Sequence, residues 1–242
     1  IDRQGKVLSA MPNIDARASN FGMDLAMEKG AEIARRTGHY PGAIFASSRL
    51  MWIKANQPQA LQEANAFLSV SDWIGYLLTG KIAAEFCQAG ESGLFDIHTC
   101  KWAKDLIQAC GAPEEIFPLL LPAGARLGEL SQAAAEHLGL AAGTPVAVGG
   151  GDTQSGLLGM GAISPGQMAL IAGTTAPLQL VTERPVIDPT MRTWSGLHVI
   201  PGLYVLESNA GQMGTTLSWI ASLMYAGRRS PAALLDAEAF NS

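Results

Sequence analysis

The chain is short of charge, of histidine and of cysteine, and each shortage closes off a class of function. Asp, Glu, Lys and Arg make up 15% of its 242 residues against 48% hydrophobic residues, and the net charge is −5. So lightly charged and slightly acidic a chain lacks the basic surface that nucleic acid or an anionic membrane requires. No apolar run reaches the roughly 18 uninterrupted residues of a membrane span, and no signal peptide opens the chain. The reading is a cytoplasmic protein with neither nucleic acid nor membrane as partner. Its three cysteines, Cys87, Cys100 and Cys110, cannot all pair and show no Cys-x-x-Cys spacing, which leaves no disulfide framework and no zinc site. The four histidines, His39, His98, His137 and His198, are scattered, form no metal-type pair and read as surface or loop residues. No metal ligand is assigned.

Several motifs are missing as well. There is no Gly-x-x-x-x-Gly-Lys-Ser/Thr phosphate loop, and Gly149-x-Gly151-x-x-Gln154 fails the dinucleotide fingerprint at its third glycine. No Gly-x-Ser-x-Gly nucleophile elbow occurs. A Rossmann oxidoreductase is therefore a weak reading.

What is present is a pair of glycine-rich turns. The apolar run Thr144–Val148 leads into Gly149-Gly150-Gly151-Asp152 and then a small-residue segment from Thr153 to Gly159, a pattern of strand, bare turn and helix start carrying a carboxylate. Glycine permits a sharp turn and close approach of a ligand, while aspartate is a favoured helix N-cap whose charge suits the helix dipole. Alone, the tetrapeptide reads first as a structural cap. A second such turn, Gly173-Thr174-Thr175, follows the apolar Leu170-Ile171-Ala172. Alone it reads as a β-turn; in tandem the two suggest a carboxylate and a phosphate cradle facing one cleft.

The length suits one large or two modest domains. Helical spacing runs from Ser19 to His39 and ends at the Gly38–Gly42 cluster; Pro58 opens a second helix, and Asp72–Leu78, Trp102–Cys110 and Ser131–Leu138 read as further ones, the last stopped by Gly139. From Gln167 the pattern becomes hairpins, with His198–Ile200 and Leu203–Leu206 flanking Pro201-Gly202, before a helix through Leu217, Ile220, Leu223 and Met224. The change near Ile163–Gly166 is the expected domain boundary.

Together with their surroundings the two turns resemble the FGGY family of carbohydrate kinases, over most of the chain. Asn13-Ile14-Asp15-Ala16-Arg17 looks like the family's substrate-side Asp-x-Arg segment, and Arg49-Leu50-Met51-Trp52-Ile53 like its basic-apolar-x-Trp helix. Ser71–Gly80, Ala89-Gly90 through Gly93–Asp96 to Lys101-Trp102, and Gly143–Pro145 leading into the Gly149 turn follow in family order. Asn13–Arg17, Gly149–Gln154 and the run from Asp188-Pro189 to Gly202 look most like the autoinducer-2 kinase branch, with xylulokinases next.

The resemblance implies an α/β fold, the actin-like or ribonuclease H-like sugar kinase fold, with two domains around a cleft. Residues 1–162 would be most of the sugar-binding N-terminal domain without its first hairpin, and 163–242 the beginning of the nucleotide-binding C-terminal domain. The chain reads as an internal fragment, with the family's first phosphate hairpin before Ile1 and its adenosine segment after Ser242. The implied chemistry is ATP- and Mg²⁺-dependent phosphorylation of a hydroxyl on a small carbohydrate or polyol, pentulose-like or autoinducer-2-like. Asp152 would be the general base. Asn13, Asp15, Arg17 and Thr153 would bind the sugar, and Gly173, Thr174, Gly214 and Ser218 the nucleotide.

Some positions depart from the family. Glycerol kinases and xylulokinases have tryptophan where Asn13 stands, relatives place glutamine or asparagine at Thr153, and some have glutamine at Ser218. Cys87-Gln88 replaces a more usual Ser-Asn. The alternative from another class is a non-catalytic sugar- or nucleotide-binding actin-like protein, or an inactive truncated kinase. A homodimer is compatible with either.

Overall fold

A computed structural model describes residues 1–173 and 175–241. Its first part is helical. Helix α1, Ser19–Thr37, buries Leu25, Ile33 and Ala34 along one face and ends at Gly38, whose left-handed φ of 79° lets its N–H reach Ala34 O. Glycine is required at 38 on a second ground, because a Cβ there would lie 1.8 Å from the backbone oxygen of Ser195. Helix α2 spans Ala46–Asn56. Pro58 occupies the first turn of α3, Pro58–Gln62, where its missing N–H costs nothing. Helix α4, Val70–Thr79, opens with a reciprocal capping box between Ser69 and Asp72 and closes at Gly80.

Short strands follow. Strand β1, Ala84–Glu85, runs directly into α5, Phe86–Gly90. Strands β2, Phe95–Asp96, and β3, Lys101–Trp102, pair antiparallel, and α6, Lys104–Ala109, comes after them. The expected helix start at Trp102 is thus corrected by two residues. The indole packs edge-on to Phe95 and Phe117 and donates from Nε1 to Pro118 O at 2.8 Å, a tertiary setting that overrides local helical spacing. Leu25, Ile33, Leu50, Leu94, Leu106 and Ile107 gather between these helices as the first core cluster.

After a 3₁₀ turn at Glu114–Ile116, β4, Leu120–Leu121, lies parallel to β1. Strand β5, Arg126–Glu129, pairs antiparallel with β6, Pro145–Ala147, across α7, Gln132–Leu138. Ser131 caps α7 by accepting Ala134 N–H, and Gly139 ends it in the left-handed region, as the sequence pattern predicts. Helix α8, Asp152–Gly159, then leads to a four-stranded antiparallel sheet of order β7-β8-β10-β9. Its strands are β7, Met168–Leu170; β8, Pro177–Thr182; β9, Trp194–Leu197; and β10, Tyr204–Asn209. Helices α9, Met213–Met224, and α10, Pro231–Asn241, close the described chain.

The hairpin around Pro201-Gly202 is present, but its first strand lies upstream of the expected His198–Ile200. Tyr204 pairs with Leu197, and His198 N–H, already in the turn, donates to Leu203 O at 3.0 Å. Two further core clusters tie the sheet to what precedes it. Leu197 and Val199 pack with Cys87, Ala89, Phe95 and Ile97, while Val181 and Val205 pack with Leu157 and Ala162 of the α8 region. Among the described residues no helix is long and apolar enough to cross a membrane.

His39 and His198 stand in loops, as expected, yet both are buried. His39 Nε2 meets Glu91 Oε2 at 3.1 Å, its Nδ1 lies 3.0 Å from Thr37 O, and its ring sits between Phe45 and Trp194. Burial alone would push the imidazolium pKa down; the Glu91 carboxylate, aided by Thr37 O, more than offsets that and holds it above the ordinary histidine value.

Candidate active site

Apolar residues of β6 carry the chain to the Gly149–Gly151 turn, and the turn delivers Asp152 to the start of α8. The N-cap itself is Gly151, with Asp152 the first helical residue. That corrects the expected cap by one position. Asp152 is exposed, and its Oδ1 accepts Thr153 N–H at 2.7 Å and the Thr153 hydroxyl at 3.3 Å. Among the described residues Oδ2 has no hydrogen-bond partner. A carboxylate with one oxygen tethered and one open to solvent, at a helix N-terminus that favours its charge, is chemically placed to accept a proton.

Crowding holds the turn. A Cβ at Gly150 would lie 2.3 Å from Val199 Cγ1, and one at Gly151 would lie 2.4 Å from Gln154 Oε1 and 3.5 Å from Gln88 Nε2. Gly149 has open space on that side. Gln88 belongs to α5, whose N-cap is the buried Glu85; one carboxylate oxygen accepts both Cys87 N–H, at 2.8 Å, and Gln88 N–H, at 3.1 Å. Burial raises the Glu85 pKa despite those bonds, and burial likewise drives the Cys87 thiol pKa upward. Glu85 was missed in the sequence, where its signal is a lone acid inside the apolar stretch Ile82-Ala83-Ala84-Glu85-Phe86-Cys87.

Helix α8 packs on the loop that carries the second turn. Gly156 of α8 faces Ile171, and Ile171 N–H donates to Pro177 O across the loop carrying Gly173. A Cβ on Gly173 would approach only Thr175 O, at 3.8 Å, so its backbone is open to a ligand. Thr174, predicted beside it, lies outside the described residues. Pairing of Asn209 with Pro177, followed by Ala210 N–H to Ala176 O, sets the start of α9 next to this loop. Gly214 lies in the first turn of α9 and Ser218 on its exposed surface one turn later.

Asn13, Asp15 and Arg17 form a separate group. Arg17 grips the Asp15 carboxylate through Nε, at 2.9 and 3.0 Å, and through Nη2 at 2.5 Å, and its guanidinium stacks 4.6 Å above Trp52. The Arg17 hydrogen bonds hold Asp15 down at a pKa of about 2. Arg49 of α2 fastens the same segment by donating to Met11 O and Pro12 O at 3.1 and 3.0 Å. Asn13 is exposed with no hydrogen bond among the described residues. Among the described residues none of the three hydrogen-bonds to the Asp152 turn; α2, which Arg49 fastens to their segment, meets the loop after α5 where Ser47 N–H donates to Ser92 O. Two grooves, one of about 430 Å³ along α1 and one of about 420 Å³ beside Trp102 and Phe117, are lined by none of the predicted site residues.

Comparison with known proteins places this arrangement. Residues 1–159 match the model of the N-terminal domain of the FGGY family of carbohydrate kinases. Autoinducer-2 kinase of Salmonella typhimurium is 35% identical over 246 residues, covering 99% of this chain and 46% of the relative. The corresponding kinase of Yersinia enterocolitica is 35% identical over 221 residues, covering 90% and 42%. Among solved structures, xylulose kinase from Rhodospirillum rubrum superposes with a TM-score of 0.87 at 27% identity, covering 98% of this chain and 49% of that one. The chain thus spans just under half the length of these relatives, and its fold is that of the FGGY sugar kinases.

Proposed function

The chain belongs to the FGGY family of carbohydrate kinases, and on that premise we propose that the protein carrying it phosphorylates a hydroxyl of a small carbohydrate or polyol, pentulose-like or autoinducer-2-like, with ATP as donor and Asp152 as general base. The observation that carries this reading is the open Oδ2 of Asp152 at the start of α8, beside a glycine turn with accessible backbone. The acceptor hydroxyl loses its proton to Oδ2 as its oxygen bonds to the γ-phosphorus of ATP and the bond from that phosphorus to the bridging oxygen breaks, releasing ADP, while Thr153 holds Oδ1 and thereby the orientation of the carboxylate.

Residues 1–162 are proposed as the sugar-binding domain and 163–242 as the beginning of the nucleotide-binding domain. Asn13, Asp15, Arg17 and Thr153 then serve the sugar, and Gly173, Thr174, Gly214 and Ser218 the nucleotide. Open backbone at Gly173 fits a phosphate, since a side chain there would fill the space a phosphate oxygen needs. An oxygen donor at the turn, the Asp152 carboxylate, suits Mg²⁺ carried on phosphates with few protein ligands. Bound there, Mg²⁺ supplies charge neutralisation of the phosphates. The test is ADP release by the full-length protein over a panel of pentuloses, polyols and autoinducer-2 precursors. Substrate-stimulated release with one of them is expected; none across the panel would overturn the assignment.

A further inference from the structure

His198 and Val199, neighbours in sequence, hold the two ends of α8. His198 follows β9, is 3% exposed, and has both ring nitrogens engaged. Nε2 lies 3.0 Å from Ala162 O, and Ile200 N–H donates to Nδ1 at 3.0 Å. A carbonyl oxygen only accepts and a peptide N–H only donates, so the ring carries its proton on Nε2 and is neutral. Burial favours the same form by lowering the imidazolium pKa. The Nε2 bond crosses 36 residues of sequence, and Ala162 is itself tied to α8 because its N–H donates to Leu157 O at 2.9 Å. The Nδ1 bond is local and shapes the turn, alongside His198 N–H to Leu203 O and Leu203 N–H to Ile200 O at 3.0 and 3.2 Å.

Val199 carries that fixed turn to the other end of the helix. A Cβ on Gly150 would lie 2.3 Å from Val199 Cγ1, so the isopropyl group rests on bare backbone two residues before Asp152 and leaves no room for a side chain. Ser155 Oγ, 3.1 Å from the same point, and Ala123 Cβ, 3.5 Å from it, close the other sides. Ser155 N–H also donates to Gly151 O at 2.8 Å, which makes the first turn of α8 continuous with the glycine turn. Packing alone would be served by leucine at 198, with no polar ring to desolvate. The ring's distant bond instead joins the end of the helix to the turn that presses on its beginning.

We propose that His198 is a positioning residue for phosphoryl transfer, clamping the end of α8 to the β9–β10 turn so that Val199 holds Gly150 and with it the backbone that aims the Asp152 carboxylate. This rests on the reading of Asp152 as the base. A misplacement of about 1 Å at a reacting group costs on the order of 100-fold in rate. Neither His198 nor Val199 is assigned to the sugar or the nucleotide, so the loss falls on kcat and not on KM.

The experiment compares kcat, both KM values and the thermal midpoint of the full-length protein across variants that divide the ring's two bonds. His198→Gln extends an amide N–H to Ala162 O, whereas His198→Asn keeps an acceptor for Ile200 N–H and is too short to reach Ala162. The glutamine variant should stay within about threefold of wild-type kcat, and the asparagine variant should lose roughly 10- to 100-fold with both KM values little changed. Val199→Ala leaves both bonds of His198 in place, removes the contact on Gly150 and carries the same expected loss; it decides the matter should His198→Asn fail to fold. Ile107→Val lowers stability in the helical core and should leave kcat unchanged, which separates positioning from lost stability. Wild-type kcat in either His198→Asn or Val199→Ala, a glutamine variant no better than the asparagine one, or an equal loss in Ile107→Val would overturn the proposal. Asp152→Asn run alongside separates the two ideas: if it abolishes turnover while Val199→Ala and His198→Asn do not, only the role of His198 falls, and if it retains turnover, both fall.

Discussion

Gly156 of α8 and Ile171 of the loop that carries Gly173 meet closely: a Cβ on Gly156 would stand 2.9 Å from Ile171 Cδ1. This contact sets the spacing between the helix that starts at Asp152 and the loop that holds Gly173. Because the opposing atom is the tip of a flexible side chain, Gly156→Ala should be accommodated, with the better helix propensity of alanine offsetting the crowding. Gly156→Val adds branches that cannot be absorbed and should cost about 1–3 kcal/mol. Thermal midpoints together with KM for ATP check this; the valine variant should raise that KM and the alanine variant leave it near wild type.

A pH prediction follows from His39. Its folded-state pKa is raised above the value in an unfolded chain by Glu91, so the charged pair stabilises the fold fully below the unfolded histidine value and loses that contribution as pH rises through the folded value. The thermal midpoint should therefore fall as pH increases from about 6.5, the ordinary histidine pKa, into the alkaline range. His39→Gln should flatten that slope. An unchanged slope in the variant would assign the pH dependence to other groups.

Asn13 offers the most direct handle on substrate choice. It is exposed, it has no hydrogen bond among the described residues, and it stands on a segment pinned by Arg49 and the Asp15–Arg17 pair. Asn13→Trp should leave stability and basal ATP hydrolysis nearly intact while altering the ratio of kcat/KM between pentuloses and more polar substrates. Identical ratios in both proteins would put Asn13 outside the sugar pocket.

Local chemistry made much of this legible in the sequence. Gly38, Gly80 and Gly139 end helices because their backbones turn left-handed there, and Ser131 and Pro58 begin them for equally local reasons. The order and spacing of the glycine-rich turns and the segments before them identified the family, and Asp152 as base is what that resemblance proposes. What the sequence hid depends on partners far along the chain. Trp102 forms a strand because Phe95 lies opposite, and His39 is buried because Phe45 and Trp194 close over it. The one-residue difference at Asp152 has the opposite origin: Gly151 adopts the cap conformation itself, with φ −56° and ψ 142°, leaving the aspartate inside the helix.

That difference sharpens the central test. Asp152 makes no capping bond beyond its immediate neighbour Thr153, so Asp152→Asn should leave the thermal midpoint close to wild type. General-base assistance contributes typically about 10²–10⁴-fold, and kcat of the full-length protein should drop by that order while KM for ATP is little changed. Measured on one preparation, a well-folded Asp152→Asn protein with lost turnover is the predicted result; the same folded protein with near-normal kcat would contradict the account.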